Sequence, residues 1–216
     1  MGNVGSALPY LLQASVMTLW LAIVCIVLAT VIGVGVGFLG ALVGRAAEAT
    51  ILAVIYILRG IPILAQLFLV YFGLPFFGIF VNSYGVAIIA ISLNMGALVA
   101  EIFRGALLSL PRAQMDAGLA IGLRPRQVLW KVLLPQALVA AMPAYVSMIP
   151  VAIKATALAS VIGIWELTLA SKEIAAQTLD TFRTFGYALL LYFMLCYPFT
   201  LVGRYLERRS TAFHSS

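Results

Sequence analysis

An all-α, polytopic membrane fold follows from three observations. The 216-residue chain is 64% hydrophobic and only 9% charged, whereas soluble domains carry about 25% charged residues. Residues 1–44, 60–100, 132–153 and 184–203 contain no Lys, Arg, Asp or Glu, and a hydrocarbon core about 30 Å thick is crossed by about 20 apolar residues in a helix. The alternating pattern of a membrane β-barrel is absent. The formal charge of +6 does not mark a nucleic-acid binder, because the basic residues cluster at the expected helix ends, where membrane orientation places them. Cys25 and Cys196 fall inside expected spans and read as buried packing thiols, with neither disulfide nor metal spacing.

Five helices are expected, over Leu11–Val43, Ala47–Leu74, Gly85–Ser109, Val128–Ile153 and Phe182–Leu206. The run 60–100 is too long for one span, and Pro75 with the Gly78–Gly85 region divides it. Met1–Pro9 lacks a basic n-region, so the first span reads as its own insertion signal. Arg45 follows the first helix. Arg104, Arg112, Arg124, Arg126 and Lys131 follow the third, and Arg204, Arg208 and Arg209 end the chain. Placing these Arg-rich segments in the cytoplasm puts the N-terminus outside and the C-terminus inside, in agreement with an odd number of spans.

The first helix carries Gly33, Gly37, Gly40 and Gly44 on one face. Such a stripe allows close helix approach, either within one subunit or at a dimer seam. In the second, Pro62 removes a backbone donor and should kink or break the helix. Counting from Ala47 at about 1.5 Å per residue places Arg59 roughly 18 Å along it, near mid-membrane. A charge at that depth costs about 2.5 kcal/mol or more. Arg59 therefore needs a partner carboxylate, a water-filled cavity or a ligand. A pair with Glu101 would order the bundle, whereas a ligand would mark a transport path. Glu101 and Arg104 lie three apart on the third helix and are neighbours on one face, with Asn94 deeper. A local Glu101–Arg104 pair and a substrate role are both open. Pro135 lies just inside the fourth helix, while Pro143 and Pro150 should bend it. Beyond Lys154, the stretch to Ala170, interrupted by Glu166, reads as an outer gate or re-entrant segment.

Between the third and fourth spans lies a polar island, Pro111 to Trp130. Gln114–Ile121 reads as a short helix with Asp116 near its positive end. Gly122 terminates it, and Pro125 opens the next helix. On pattern alone this is an amphipathic helix on the bilayer surface. The order Asp116-Ala117-Gly118-x-x-x-Gly122, nine residues, then Val132-x-Leu134-Pro135 resembles the EAA loop of ABC-importer permeases. Arg59-Gly60-Ile61-Pro62-Ile63-Leu64-Ala65-Gln66, Ala100-Glu101-Ile102-Phe103-Arg104-Gly105, Leu134-Pro135-Gln136-Ala137 and Lys154-Ala155-Thr156-Ala157-Leu158 are similar to blocks of the polar amino-acid permeases of that family. They occur in the same order. Asp116 stands for the usual Glu and Gly118 for the second Ala, which suggests a looser loop helix. Leu98 stands where the family often has Tyr, which bears on the substrate pocket.

The resemblance implies the type I ABC importer permease fold in a single transmembrane domain, 1–216, with a cytoplasmic coupling loop at about 111–130. It implies ATP-driven import of polar amino acids across a bacterial inner membrane. Two cytoplasmic ATP-binding subunits, a second permease (identical or homologous) and a periplasmic or lipid-anchored binding protein would complete the importer. ATP and Mg would sit on the ATPase; this chain has no phosphate-binding loop of its own. The expected substrate path comprises Arg59, Gly60, Pro62, Gln66, Asn94, Leu98, Glu101, Lys154 and Thr156, with backbone groups freed by Pro62 taking part. The expected ATPase-coupling set is Gln114, Asp116, Ala117, Gly118, Gly122 and Pro135. A stand-alone ion-coupled carrier or channel is the alternative. A membrane enzyme has less support, since the one histidine, His214, lies in the tail and no metal spacing or activated nucleophile is present.

Overall fold

The structure is a computed structural model that describes residues 8–42 and 45–214. The expected helix end at Val43, the stripe's Gly44 and residues 1–7 lie outside the described residues. Among those described, four helices are long and apolar enough to cross a membrane: Leu8–Phe38, Ser83–Leu108, Pro125–Ile162 and Thr181–Arg209. A fifth span arises if the bent pair Ala46–Gly60 and Ile63–Phe76 counts as one.

Helix α1 (Leu8–Leu42) and helix α4 (Ser83–Leu108) form the central crossing. Small residues make this possible. A Cβ added at Gly33 would fall 2.5 Å from Val99 Cβ, and one at Gly37 would fall 3.1 Å from the Ala100 carbonyl. Gly96 returns the contact toward Ile32. Gly40 meets nothing within 4 Å. The described stripe therefore packs within the chain over Gly33 and Gly37, as small residues do where helices approach in lipid. The core at this crossing gathers Leu21, Cys25, Ala29, Ile91, Met95 and Val99. Cys25 is buried, Cys196 half-buried, and both thiols are free.

The expected second helix is two helices, α2 (Arg45–Gly60) and α3 (Ile63–Phe76), bent by 100°. The bend exceeds a kink because Gly60 precedes Pro62 and the freed carbonyls find other donors, described below. α4 begins at Ser83, with the Asn82 side chain accepting the Gly85 N–H at 2.8 Å.

Helix α5 (Arg112–Ala120) starts two residues before the expected Gln114, behind Pro111. Asp116 consequently lies in its second turn rather than at its positive end. The next helix starts at Pro125, as that proline signalled, three residues ahead of the expected span start at Val128. α6 (Pro125–Val128) runs through a π turn, Leu129–Leu133, into α7 (Leu134–Ala155). Pro125 fills a first-turn position that needs no N–H. The Gln127 side chain also accepts the Arg124 N–H at 2.8 Å. Pro135 thus lies well inside a compound helix, just after the π turn. Such π bulges absorb local irregularity in a helix. α7 continues without interruption past Pro143 and Pro150.

A 3-10 helix, Thr156–Ile162, ends at Gly163 with φ 79°. It leads to α8 (Leu167–Thr178), which packs on α1 and α9 (Thr181–His214). The expected gate segment is thus this 3-10 turn and the start of α8. Tyr10, at the start of α1, donates to Glu173 of α8 at 2.6 Å, and Trp165 donates to Tyr10 at 2.8 Å. At the opposite end, Pro111, Gln114, Leu206 and Arg209 line one cavity. The start of α1 and the end of α9 therefore lie at opposite ends of the bundle.

Candidate transport site and coupling hairpin

Pro62 has no N–H to donate to the Leu58 carbonyl, and an unpaired buried carbonyl is costly. Two side chains replace the missing donor. The Gln66 amide reaches the Leu58 carbonyl and also donates to the Ile61 carbonyl at 2.9 Å. Asn94 of α4 donates to the Leu58 carbonyl at 3.1 Å. The Leu58 and Ile61 carbonyls are thus bonded, and Gln66 and Asn94 brace the break. Gln66 is almost fully buried, a position suited to this scaffold role.

Immediately before the break, Arg59 occupies the last turn of α2, where the negative end of the helix dipole favours a cation. The count from Ala47 to Arg59 runs within α2 alone, and the 100° bend that follows puts Arg59 at a helix end. Arg59 pairs with Glu101 of α4. Their side chains remain 40% and 43% exposed, while the Glu101 Oε2 that faces Arg59 is itself shielded. A cavity of about 420 Å³ adjoins them, lined by Leu98, Ile102, Gly105, Ala140 and Ala144 together with the pair. Apart from Arg59 and Glu101, its lining carries no charge.

The local Glu101–Arg104 pair is not formed. Arg104 instead bonds Glu48 of α2 at 2.9 Å. Sequence reasoning passed over Glu48; the available signal was that each of only seven acidic residues in an oily chain needs a partner. Lys154 is exposed in the last turn of α7 and does not line the Arg59–Glu101 cavity. Thr156 is fully buried, and its hydroxyl donates to the Ile153 carbonyl at 2.7 Å. Gly60 and Pro62 lie exposed at the bend.

The expected coupling residues from Gln114 to Gly122 lie in a hairpin. Gly122, at φ 84°, adopts the left-handed conformation that glycine tolerates. The Leu123 N–H bonds the Gly118 carbonyl at 3.1 Å and the Gly122 N–H bonds the Leu119 carbonyl at 3.0 Å. Together these make a Schellman stop. Gly118 is buried, and a Cβ there would lie 2.7 Å from Val128 Cγ2. The expectation of a looser helix at Gly118 is therefore reversed: its missing methyl seats α5 directly against Val128. Val128, Leu129 and Leu133 form the apolar seat, with Met115 and Leu123 packed against it. Asp116 and Ala117 face outward, with Leu119 42% and Ile121 78% exposed. The bland reading of a helix floating on the bilayer does not account for this fixed seat.

A polytopic bundle with a charged helix break beside a cavity is an arrangement suited to transport. The chain belongs to the family of binding-protein-dependent transport system inner membrane components, whose model matches residues 29–211. It is 34% identical over 205 residues to the glutamine transport system permease protein GlnP of Escherichia coli (strain K12), covering 94% of both chains. It is 37% identical over 153 residues to the L-cystine transport system permease protein TcyB of Bacillus subtilis (strain 168), covering 70% of this chain and 65% of that one. Its fold matches the crystal structure of an amino acid ABC transporter with histidines at a TM-score of 0.87 and 26% identity, covering 97% of this chain and 99% of that one. It also matches an inward-facing MetNI methionine ABC transporter at a TM-score of 0.81 and 22% identity, with the same coverage. The chain is thus a multi-pass transport component of that family, which sets aside the stand-alone carrier.

Proposed function

We propose that the chain is the permease subunit of an ATP-driven bacterial inner-membrane importer for amino acids with uncharged side chains. The carrying observation is the half-exposed Arg59–Glu101 pair on an otherwise uncharged cavity. A zwitterion brings one carboxylate and one ammonium. It can meet Arg59 with the first and Glu101 with the second, leaving no charge unpaired. A basic or acidic side chain would add a charge that the cavity does not balance, and an unpaired charge away from water is costly. The relatives named for glutamine and L-cystine support the same class.

In this reading the hairpin of α5 and α6 is the dock for a cytoplasmic ATPase, of which two serve the importer. The Arg-rich end of the bundle faces the cytoplasm and the start of α1 faces outward. A second permease and an outer binding protein complete the assembly. ATP acts only by favouring one conformation of its own subunits over the other, and α5 carries that change to α7. Asp116, Ala117, Leu119 and Ile121 present the contact surface. The catalytic chemistry belongs to the ATPase, with its ATP and Mg.

The test is co-purification of the assembled importer, reconstitution in liposomes, and ATP-dependent uptake of labelled glutamine, cystine, arginine and glutamate. Glutamine or cystine uptake should dominate. Preferred uptake of arginine or glutamate would overturn the substrate class, and a chain that holds no ATPase would overturn the whole reading.

A further inference from the structure

We infer that Gln114 and Gln136 are the positioning pair that fixes the angle of α5 against α7. This inference rests on the reading of α5 as the ATPase dock. The Gln136 amide donates to Gln114 Oε1 at 2.5 Å and to the Val132 carbonyl at 2.9 Å, so both of its N–H donors are committed. The first bond crosses from α7 to α5 and the second anchors the donor to its own helix. Among the described residues, no other side-chain hydrogen bond joins α5 to α7.

The remaining restraint on α5 is apolar. Gly118 rests on Val128, while Met115 and Leu123 pack on Leu129 and Leu133. Apolar burial is non-directional. It sets where α5 lies, whereas a hydrogen bond adds a preferred direction. The need for direction is real on this flank, because Gln114 and Gln136 both border a cavity of about 810 Å³. That cavity leaves this flank of α5 open. The π turn Leu129–Leu133 and Pro135 immediately precede Gln136, so the pair clasps α5 where the compound helix is least regular. A pull on α5 then reaches α7 beyond that irregular turn.

The experiment uses the complete importer in liposomes and reads substrate imported per ATP hydrolysed. Gln136→Leu and Gln114→Leu keep size and helix propensity. Each should lower this ratio about fivefold, the scale of one hydrogen bond, with ATPase still bound and hydrolysing. The double variant should fall no further than either single variant, as expected for two halves of one interaction. Gln114→Glu should stay within about twofold of wild type, because its carboxylate still accepts from the Gln136 amide, which keeps its second bond to the Val132 carbonyl. An unchanged ratio in the leucine variants overturns the pair. So does a double variant that multiplies both losses, or a Glu variant as weak as Leu. In all three cases bound, active ATPase leaves the docking reading standing. A wild-type chain that retains no ATPase overturns the docking reading and this inference with it.

Discussion

Glu101 and Glu166 are carboxylates in the same oily bundle, and their surroundings give them opposite characters. Glu101 faces a cation, Arg59, and both remain about two-fifths exposed beside a cavity. Glu166 is fully buried at the N-terminal cap of α8. It meets neutral donors: the Leu169 N–H at 2.9 Å and the Tyr192 hydroxyl at 2.8 Å. The Tyr192 and Thr168 hydroxyls are 2.8 Å apart, and the Leu167 N–H donates to Thr18 of α1 at 3.0 Å. Burial pushes the Glu166 carboxyl above its ordinary value, with the Thr168 backbone, Tyr192 and Leu169 pulling the other way. A charged pair that opens onto a cavity can exchange partners with a zwitterion. A sealed carboxyl held by neutral donors has nothing to exchange with, and it fastens α8 to α1 and α9.

The largest effect that would break this comparison is expected from Glu166→Ala. It strands the Leu169 N–H and the Tyr192 hydroxyl in a buried site and should cost about 3 kcal/mol, read as a lower Tm of the detergent-solubilised complex. A Tm unchanged by this substitution would remove the fastening role. Next comes Glu101→Gln. Assembly and Tm should be retained while uptake falls about thirtyfold, the lower range for truncating one side of a charge pair. Failure to assemble would instead make the pair structural, and Arg59→Leu offers the same decision from the other partner. Smaller still is Gln66→Leu, which leaves Asn94 as the remaining side-chain donor to Leu58. It should cost about 1 kcal/mol, seen in denaturation, with substrate preference unchanged. A change in substrate preference would return Gln66 to the pathway.

The smallest effect is a pH dependence. Because the folded pKa of Glu166 is raised, the native state holds its proton more tightly than the unfolded chain does. Its contribution is therefore most favourable below the ordinary value of 4.5. It diminishes as pH rises through the raised folded value. Glu166→Gln keeps the shape and the acceptor for Leu169 without the charge. It should flatten that part of the Tm–pH profile and change Tm at neutral pH by no more than about 1 kcal/mol equivalent. A profile identical to wild type would show that Glu166 does not titrate in this range.

Much of the architecture was readable because it depends on local covalent facts. Pro62 lacks an N–H, so a break was foreseeable, although its 100° angle was not. Gly122 and Pro125 stop one helix and start the next wherever they occur, and both do so here. The start of α5 was misplaced because Pro111 can head a helix as well as end a strand of loop. The family resemblance carried the residues of the site, but it could not say which of them face the cavity. Gln66, Asn94 and Thr156 looked like pathway residues because polar groups at depth attract that reading. In the structure each of the three donates to a backbone carbonyl, a bracing role that the sequence did not signal.

The sequence alone determined an oily, multi-span helical chain, the helix break and the position of the hairpin after the third span. Each follows from the length of an apolar run, the absence of one N–H or the freedom of one glycine. Only the tertiary structure decided the partners: Arg59 with Glu101, Arg104 with Glu48, Gln136 with Gln114, Gly118 beneath Val128. Those choices depend on how helices distant in sequence cross. Electrostatic and hydrogen-bond energies then fall off over a few ångströms, so the crossing geometry selects which polar groups can meet.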